Sequence, residues 1–322
     1  MKYYLAPLEG ITNHIYRNAY EKYFHNIDKY YTPFIVPNNS KGFKNKELRD
    51  VLPENNRVSK LVPQILTNNS EYFINTAEKL LQLGYEEINL NLGCPSGTVV
   101  SKGRGSGFLA KREELDIFLD EIFKMDNIKI SIKTRIGKES PEEFYELIKI
   151  FNKYPIEELT IHPRTQKDFY RNKPNLEVFK DALDLSNNPI CYNGDIFTSK
   201  DYVNFRENFT EVKAVMIGRG IIANPGLIQE IKDENILHKK TLKKFHDEIL
   251  NGYIELFHDN KNVLFKMKEL WSYMIYIFSD NKKYGKKIKK AQKLNDYNEA
   301  VLSLFNDQEI IKGAGLFNEK NT

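Results

Sequence analysis

The chain has 322 residues, 41% hydrophobic and 29% charged, with a formal net charge of +4 and a pI near 8.6. That balance excludes a wholly disordered chain, and so mild a charge does not by itself demand a nucleic-acid partner. No run of about 20 apolar residues and no signal-type segment is present, so a cytoplasmic protein is expected, with Cys94 and Cys191 as free thiols in a reducing compartment.

In chain order, short apolar or β-branched runs alternate with amphipathic stretches, the pattern of repeated strand–helix units around a parallel sheet. Eight strands are predicted near 3–6, 34–36, 61–66, 86–91, 129–133, 158–162, 189–193 and 214–218. The expected fold is an α/β (β/α)8 TIM barrel. Asn69 and Ser70 precede the periodic run 72–83 that stops at Gly84, and SPEE at 140–143 opens a run to Phe151; these are helix-start signals. The lysine-rich stretch 40–50 lacks an apolar stripe and reads as a partly ordered loop. From about Thr241 the strand signals stop and apolar residues recur at helical spacing through Phe245, Ile249, Tyr253, Ile254 and Phe257, then Leu264, Met267, Leu270, Trp271 and Met274. This predicts a barrel over 1–238 and a smaller all-helical C-terminal domain over 239–322, with a frayed tail beyond about Lys312.

Polar residues gather just after the predicted strands: Pro7, Gln64, Asn91 with Cys94, Lys133 with Arg135, His162 with Arg164, Asn193-Gly194-Asp195, and Gly218-Arg219. Loops are polar in general. In a parallel barrel, however, all strand C-termini share one face, so these groups are expected to converge on one mouth. Asn193-Gly194-Asp195 and Gly218-Arg219-Gly220 follow strands seven and eight, where barrels frequently bind phosphate, although an isolated Gly-Arg-Gly is equally a turn. Lys133 can place positive charge beside an electron-accepting ring. Cys94 follows a strand and leads into the glycine-rich stretch 96–107, a loop able to open and close over a substrate. Cys191 sits inside an apolar strand and reads as a small buried side chain.

These segments carry a family resemblance. APLEGIT at 6–12, NLNLGCPSGTVV at 89–100, IKTRIG at 132–137, HPRT at 162–165, YNGDI at 192–196 and MIGRG at 216–220, in this order and spacing, resemble the tRNA-dihydrouridine synthases. The resemblance covers about residues 3–275 and implies an FMN-dependent reductase on a barrel with a helical C-terminal domain. It further implies that Pro7, Leu8, Gln64, Lys133, His162, Asn193, Gly194, Asp195, Gly218 and Arg219 hold FMN. Asn91 would face a uracil together with Cys94, and Arg135 and Arg164 would contact the substrate. The family chemistry implies NADPH as reductant, hydride delivery to C6 of uracil, and Cys94 as the general acid that protonates C5. Leu8 stands where methionine is usual, Asn13 where aspartate is common, and Pro163 where glycine usually follows the histidine.

Extruding a stacked uridine costs roughly a few kcal/mol, which backbone contacts must offset. The expected surface is the lysine run Lys282, Lys283, Lys286, Lys287, Lys289, Lys290 and Lys293, with Lys286, Lys287 and Lys290 at its centre. Such a run is also compatible with a solvated helix face. The expected partner is RNA, with tRNA foremost, bound by a monomer and without a membrane. The alternatives are an FMN barrel that reduces a small molecule, the same reaction on rRNA, and an RNA-binding barrel without catalysis.

Overall fold

The alternation of apolar and amphipathic stretches is realised as a ring of parallel strands in the computed structural model, which describes residues 1–37, 42–232 and 237–316. The strands are β1 (Lys2–Leu5), β2 (Lys29–Tyr31), β3 (Leu61–Val62), β4 (Gln64–Ile65), β5 (Glu87–Leu92), β6 (Lys129–Gly137), β7 (Leu159–Thr165), β8 (Ile190–Tyr192) and β9 (Ala214–Ile217). Their order is β3-β2-β1-β9-β8-β7-β6-β5-β4. The two ends of that ladder, β3 and β4, are one extended segment interrupted at Pro63. On one side β3 pairs with β2, and on the other β4 pairs with β5. Proline has no N–H to give a ladder, but its carbonyl accepts from Asn89 N at 2.8 Å, so the segment changes partner there and the ring closes.

The expected strand at 34–36 is not the second stave. That stave is β2, and Ile35 forms only an isolated bridge with Ile65. The physical reason is Lys29. Its charge enters the barrel because Glu87, at the start of β5, lies 2.9 Å away, so the true strand opens on a buried lysine rather than an apolar run.

Contacts divide the chain into two compact units. The first comprises Met1–Pro7, Asp28–Asp195 and Glu211–Met216; the second comprises Leu8–Ile27, Ile196–Thr210 and Ile217–Thr322. In the first, helices Ser70–Gln82, Arg112–Ile122, Glu143–Phe151 and Leu176–Leu185 bury their apolar faces, for example Phe73, Ala77 and Leu80. Asn69 caps its helix by accepting from Tyr72 N, and Gly84 beyond the end takes φ +89. Within the stretch 40–50, residues 40 and 41 lie outside the described residues, while Asn45–Val51 is helical, with Glu47 accepting from Lys44 N at 3.0 Å.

The second unit is helical: His14–Phe24, Ser199–Asn208, Arg219–Ala223, Leu227–Ile231, Lys239–Leu256, Asn260–Met274, Asn281–Lys290 and Leu294–Asp307. Phe245 packs edge-on against Tyr16 and Phe24, and His246, Trp271 and Tyr297 share a buried hydrogen-bonded cluster. The expected periodic residues are buried here except Ile254, which is exposed, and Phe257, which is half-buried. Of the expected frayed tail, Ala314 is buried, and residues 317–322 lie outside the described residues. Among the described residues no helix is long and apolar enough to cross a membrane.

Candidate active site at the strand C-termini

Parallel pairing puts the C-terminal ends of the strands on one face of the first unit, and the predicted residues of that unit sit there. At the end of β5, the side-chain oxygen of Asn91 accepts from the N–H groups of Gly93 (3.0 Å) and Cys94 (2.9 Å). The Cys94 carbonyl accepts from Ser106 twice, through N–H at 3.1 Å and Oγ at 2.8 Å. Gly105 makes this closure possible: it has φ +55, and a Cβ there would lie 2.8 Å from the Cys94 carbonyl oxygen. The stretch expected as an opening and closing loop is thus folded, with a helical turn at Gly97–Val100 and a 3-10 segment at Gly105–Ala110. Cys94 itself is half-buried.

Behind Asn91 runs a directed chain of amides. Asn91 Nδ2 donates to Gln64 Oε1 (2.7 Å), Gln64 Nε2 to Asn89 Oδ1 (2.7 Å), and Asn89 Nδ2 to Ser131 Oγ (3.0 Å). Each amide has its donor and acceptor ends fixed by its neighbour. Gln64, expected at the cofactor, is fully buried in this chain. Three of the four hydrogen-bonding positions of Asn91 are engaged within the protein.

Lys133 is half-buried in the middle of β6, paired with Asn91 near the end of β5, and makes no ion pair among the described residues. Burial, reinforced by the Arg135 charge, lowers its pKa to about 8, with Cys94 near enough to act on it in the opposite direction. Arg135 is buried, and its guanidinium donates to three backbone carbonyls: Gly93 (3.0 Å), Thr165 (2.7 Å) and Phe169 (2.8 Å). It therefore ties the residue before Cys94 to the segment after β7, and Gln166 adds a bond to the Pro95 carbonyl. Arg164 is likewise buried. It grips Asp195 through both terminal nitrogens and donates to the Asn172 carbonyl and to His162 Nε2. The two arginines expected at the substrate thus arrive with protein acceptors already engaged.

At the end of β8, Asn193 donates to the Met216 carbonyl (2.7 Å). Gly194 lies so close over Tyr192 that a Cβ would come within 1.9 Å of the phenol oxygen, so the backbone there stays bare. Pro7, two residues after the end of β1, is half-buried. Asp168 is drawn below the usual carboxylate range: burial works against this, but bonds from the Thr165 N–H and hydroxyl prevail. The site thus gathers Lys133, Arg135 and Arg164 against Asp168 and Asp195, a cationic excess suited to an anionic ligand.

Leu8, Gly218, Arg219 and the lysines belong to the second unit. Leu8 N–H donates to Thr12 Oγ1 (2.8 Å), closing the turn after Pro7. Gly218 follows β9 directly and precedes the helix Arg219–Ala223; Arg219 stacks on Phe197 at 5.0 Å. On Asn281–Lys290, Tyr284 and Ile288 face inward while Lys286, Lys287 and Lys290 are exposed. Sequence reasoning missed Asn89, Ser106, Gln166 and Asn172. Their bonds mostly cross long sequence separations and leave no local pattern.

The dihydrouridine synthase (Dus) family model matches residues 4–313. A probable tRNA-dihydrouridine synthase of Staphylococcus aureus (strain MRSA252) is 28% identical over 259 residues, 77% of each chain. The tRNA-dihydrouridine synthase B of Pasteurella multocida (strain Pm70) is 25% identical over 240 residues, 74% of this chain and 70% of the relative. Among solved structures, histamine dehydrogenase from Rhizobium sp. 4-9 has a TM-score of 0.55 at 12% identity, over 72% of this chain and 45% of that one. A 2-naphthoyl-CoA reductase complex has a TM-score of 0.54 at 10% identity, over 72% of this chain and 50% of that one. At such identities these two establish the shared barrel fold.

Proposed function

The chain belongs to the dihydrouridine synthase family, and from that premise we propose that it reduces a uridine of RNA, foremost of tRNA, to 5,6-dihydrouridine with FMN and NADPH. The observation that carries the reading is the placement of Cys94. An accessible thiol is held by its own backbone, through Asn91 and Ser106, beside a lysine with no acid partner among the described residues.

The residues present fit a flavin mononucleotide. Lys133 and His162 supply charge and donor capacity for the ring. In the first unit, Pro7, Asn193, Asp195 and the bare backbone at Gly194 suit a phosphate and its ribityl chain; Leu8, Gly218 and Arg219, which the family resemblance adds to the cofactor set, belong to the second unit. Gln64 acts from behind, by orienting Asn91. A flavin held by these residues and recharged by NADPH would supply hydride chemistry at C6 of the uracil. Cys94 supplies the proton to C5. As a general acid it must hold its proton until transfer. Asn91 presents its remaining amide capacity to the pyrimidine edge, and Arg135 keeps Gly93, and hence Cys94, in register with β7. Arg164 contributes through its neighbours at the same edge.

Getting a stacked base to this thiol requires extrusion at a cost of roughly a few kcal/mol. Residues 239–322 form the RNA-binding part in this reading, with Lys286, Lys287 and Lys290 offering sequence-independent attraction to phosphates. The test is dihydrouridine mapping in RNA from cells that lack the protein and regain it. Sites that disappear and return support the proposal; an unchanged map overturns it.

A further inference from the structure

The contact between Arg164 and His162 settles more than packing. A guanidinium has N–H donors and no acceptor. Arg164 Nη1 lies 3.0 Å from His162 Nε2, so that ring nitrogen accepts and carries no proton. Asp195 and the Asn172 carbonyl hold Arg164 in place: Nη1 also donates to Asp195 Oδ1 at 2.8 Å, Nη2 to Asp195 Oδ2, and Nε to the Asn172 carbonyl at 2.6 Å. Arg164 is 1% exposed, so water offers its guanidinium no alternative to these acceptors.

We propose that Arg164, anchored by Asp195, is a positioning residue that locks His162 as the neutral tautomer protonated on Nδ1. His162 is then a hydrogen-bond donor through Nδ1, and its Nε2 is closed to service as a base. Resting on the reading above, this makes His162 a fixed donor to an acceptor atom of the flavin or the pyrimidine, and leaves Cys94 as the proton source. It also gives the Asp195 carboxylate a role: it neutralises Arg164 rather than meeting an anionic ligand directly.

The test reads the ring nitrogens of 15N-histidine-labelled protein, without added flavin, by long-range proton–nitrogen correlation. His162 signals are assigned by their loss in His162→Asn. The expected result is an unprotonated, acceptor-type shift for Nε2 and a protonated one for Nδ1. In Arg164→Met the pattern should become a tautomer mixture, and in Arg164→Gln, whose amide can still donate, it should return toward the original. A protonated Nε2 in the unaltered protein overturns the proposal. So does a pattern in a folded Arg164→Met indistinguishable from the original. If that variant does not fold, the unaltered protein alone decides. FMN affinity measured on the same samples reports separately on the flavin reading. His162→Asn, which places an amide donor near Nδ1, should stay within about threefold of the original, and His162→Gln should lose roughly tenfold.

Discussion

The same barrel buries a lysine at each end, and the two are treated differently. At the N-terminal ends of the strands, Lys29 Nζ sits 2.9 Å from Glu87 and 3.9 Å from Glu158; Lys60 reaches Glu87 at 3.1 Å, and Tyr4 donates to Glu158 at 2.9 Å. Charges there satisfy one another, although burial still raises the Glu158 pKa. At the C-terminal ends, Lys133 has no acid partner among the described residues and is pushed down to about 8, while Asp168 and Asp195 are engaged elsewhere. A pair that closes on itself offsets the cost of its own burial; a cation left without a partner costs stability and, in the proposed reading, is kept for a ligand that brings the negative charge.

That contrast can be broken in several ways. The largest effect is expected at the mouth: Cys94→Ala should lower dihydrouridine formation by roughly 10²–10⁴-fold while FMN binding and NADPH oxidation persist, measured by nucleoside mass spectrometry and flavin absorbance. At the floor, Glu87→Gln strands Lys29 beside a neutral amide and should cost about 3–5 kcal/mol in urea denaturation. Charge reversal at Lys286, Lys287 and Lys290 should weaken RNA binding roughly tenfold or more and flatten its salt dependence without altering flavin reduction. Lys133→Met should act opposite to Glu87→Gln. Since burial lowers Lys133 from 10.5 to about 8, the unfolded chain binds more protons between those values, and the lysine's cost to stability is full below about pH 8 and fades toward 10.5. The variant should therefore gain about 1–3 kcal/mol at pH 7, with the gain shrinking as pH rises, and should lose the decline in FMN affinity expected above pH 8. The smallest effect is expected at Cys191, whose thiol is fully buried and pushed up by burial. Cys191→Ala should leave product formation unchanged and cost less than about 1.5 kcal/mol.

Much of the barrel is legible in the sequence because its outer helices carry ordinary caps and stripes; Asn69 before Tyr72 is one instance. What escapes is the polar interior. Lys29 disguises a strand, since a lysine looks exposed until Glu87, 58 residues later, is brought to it. The amide chain from Asn91 to Ser131 is equally hidden, because Gln64 and Asn89 read as isolated polar residues until the strands are side by side. At the mouth, the residue types Cys94, Lys133, His162 and Arg164 were visible, but their partners were not. Arg135 and Arg164 look like substrate-facing cations in one dimension, and in three their guanidiniums are held by backbone carbonyls and Asp195. The glycine-rich stretch after Cys94 reads as a mobile loop because a Ser106 bond to the Cys94 carbonyl leaves no periodic trace.

The central claim, that Cys94 completes the reduction of a uridine presented at this mouth, is tested most directly by a single turnover. Protein carrying pre-reduced FMN is mixed anaerobically with unmodified tRNA, and flavin reoxidation and dihydrouridine are followed together. The account predicts that the two rise in step for the unaltered protein and that both slow sharply in Cys94→Ala. Dihydrouridine formed at the same rate by Cys94→Ala, or reoxidation with no change in the RNA, would contradict it.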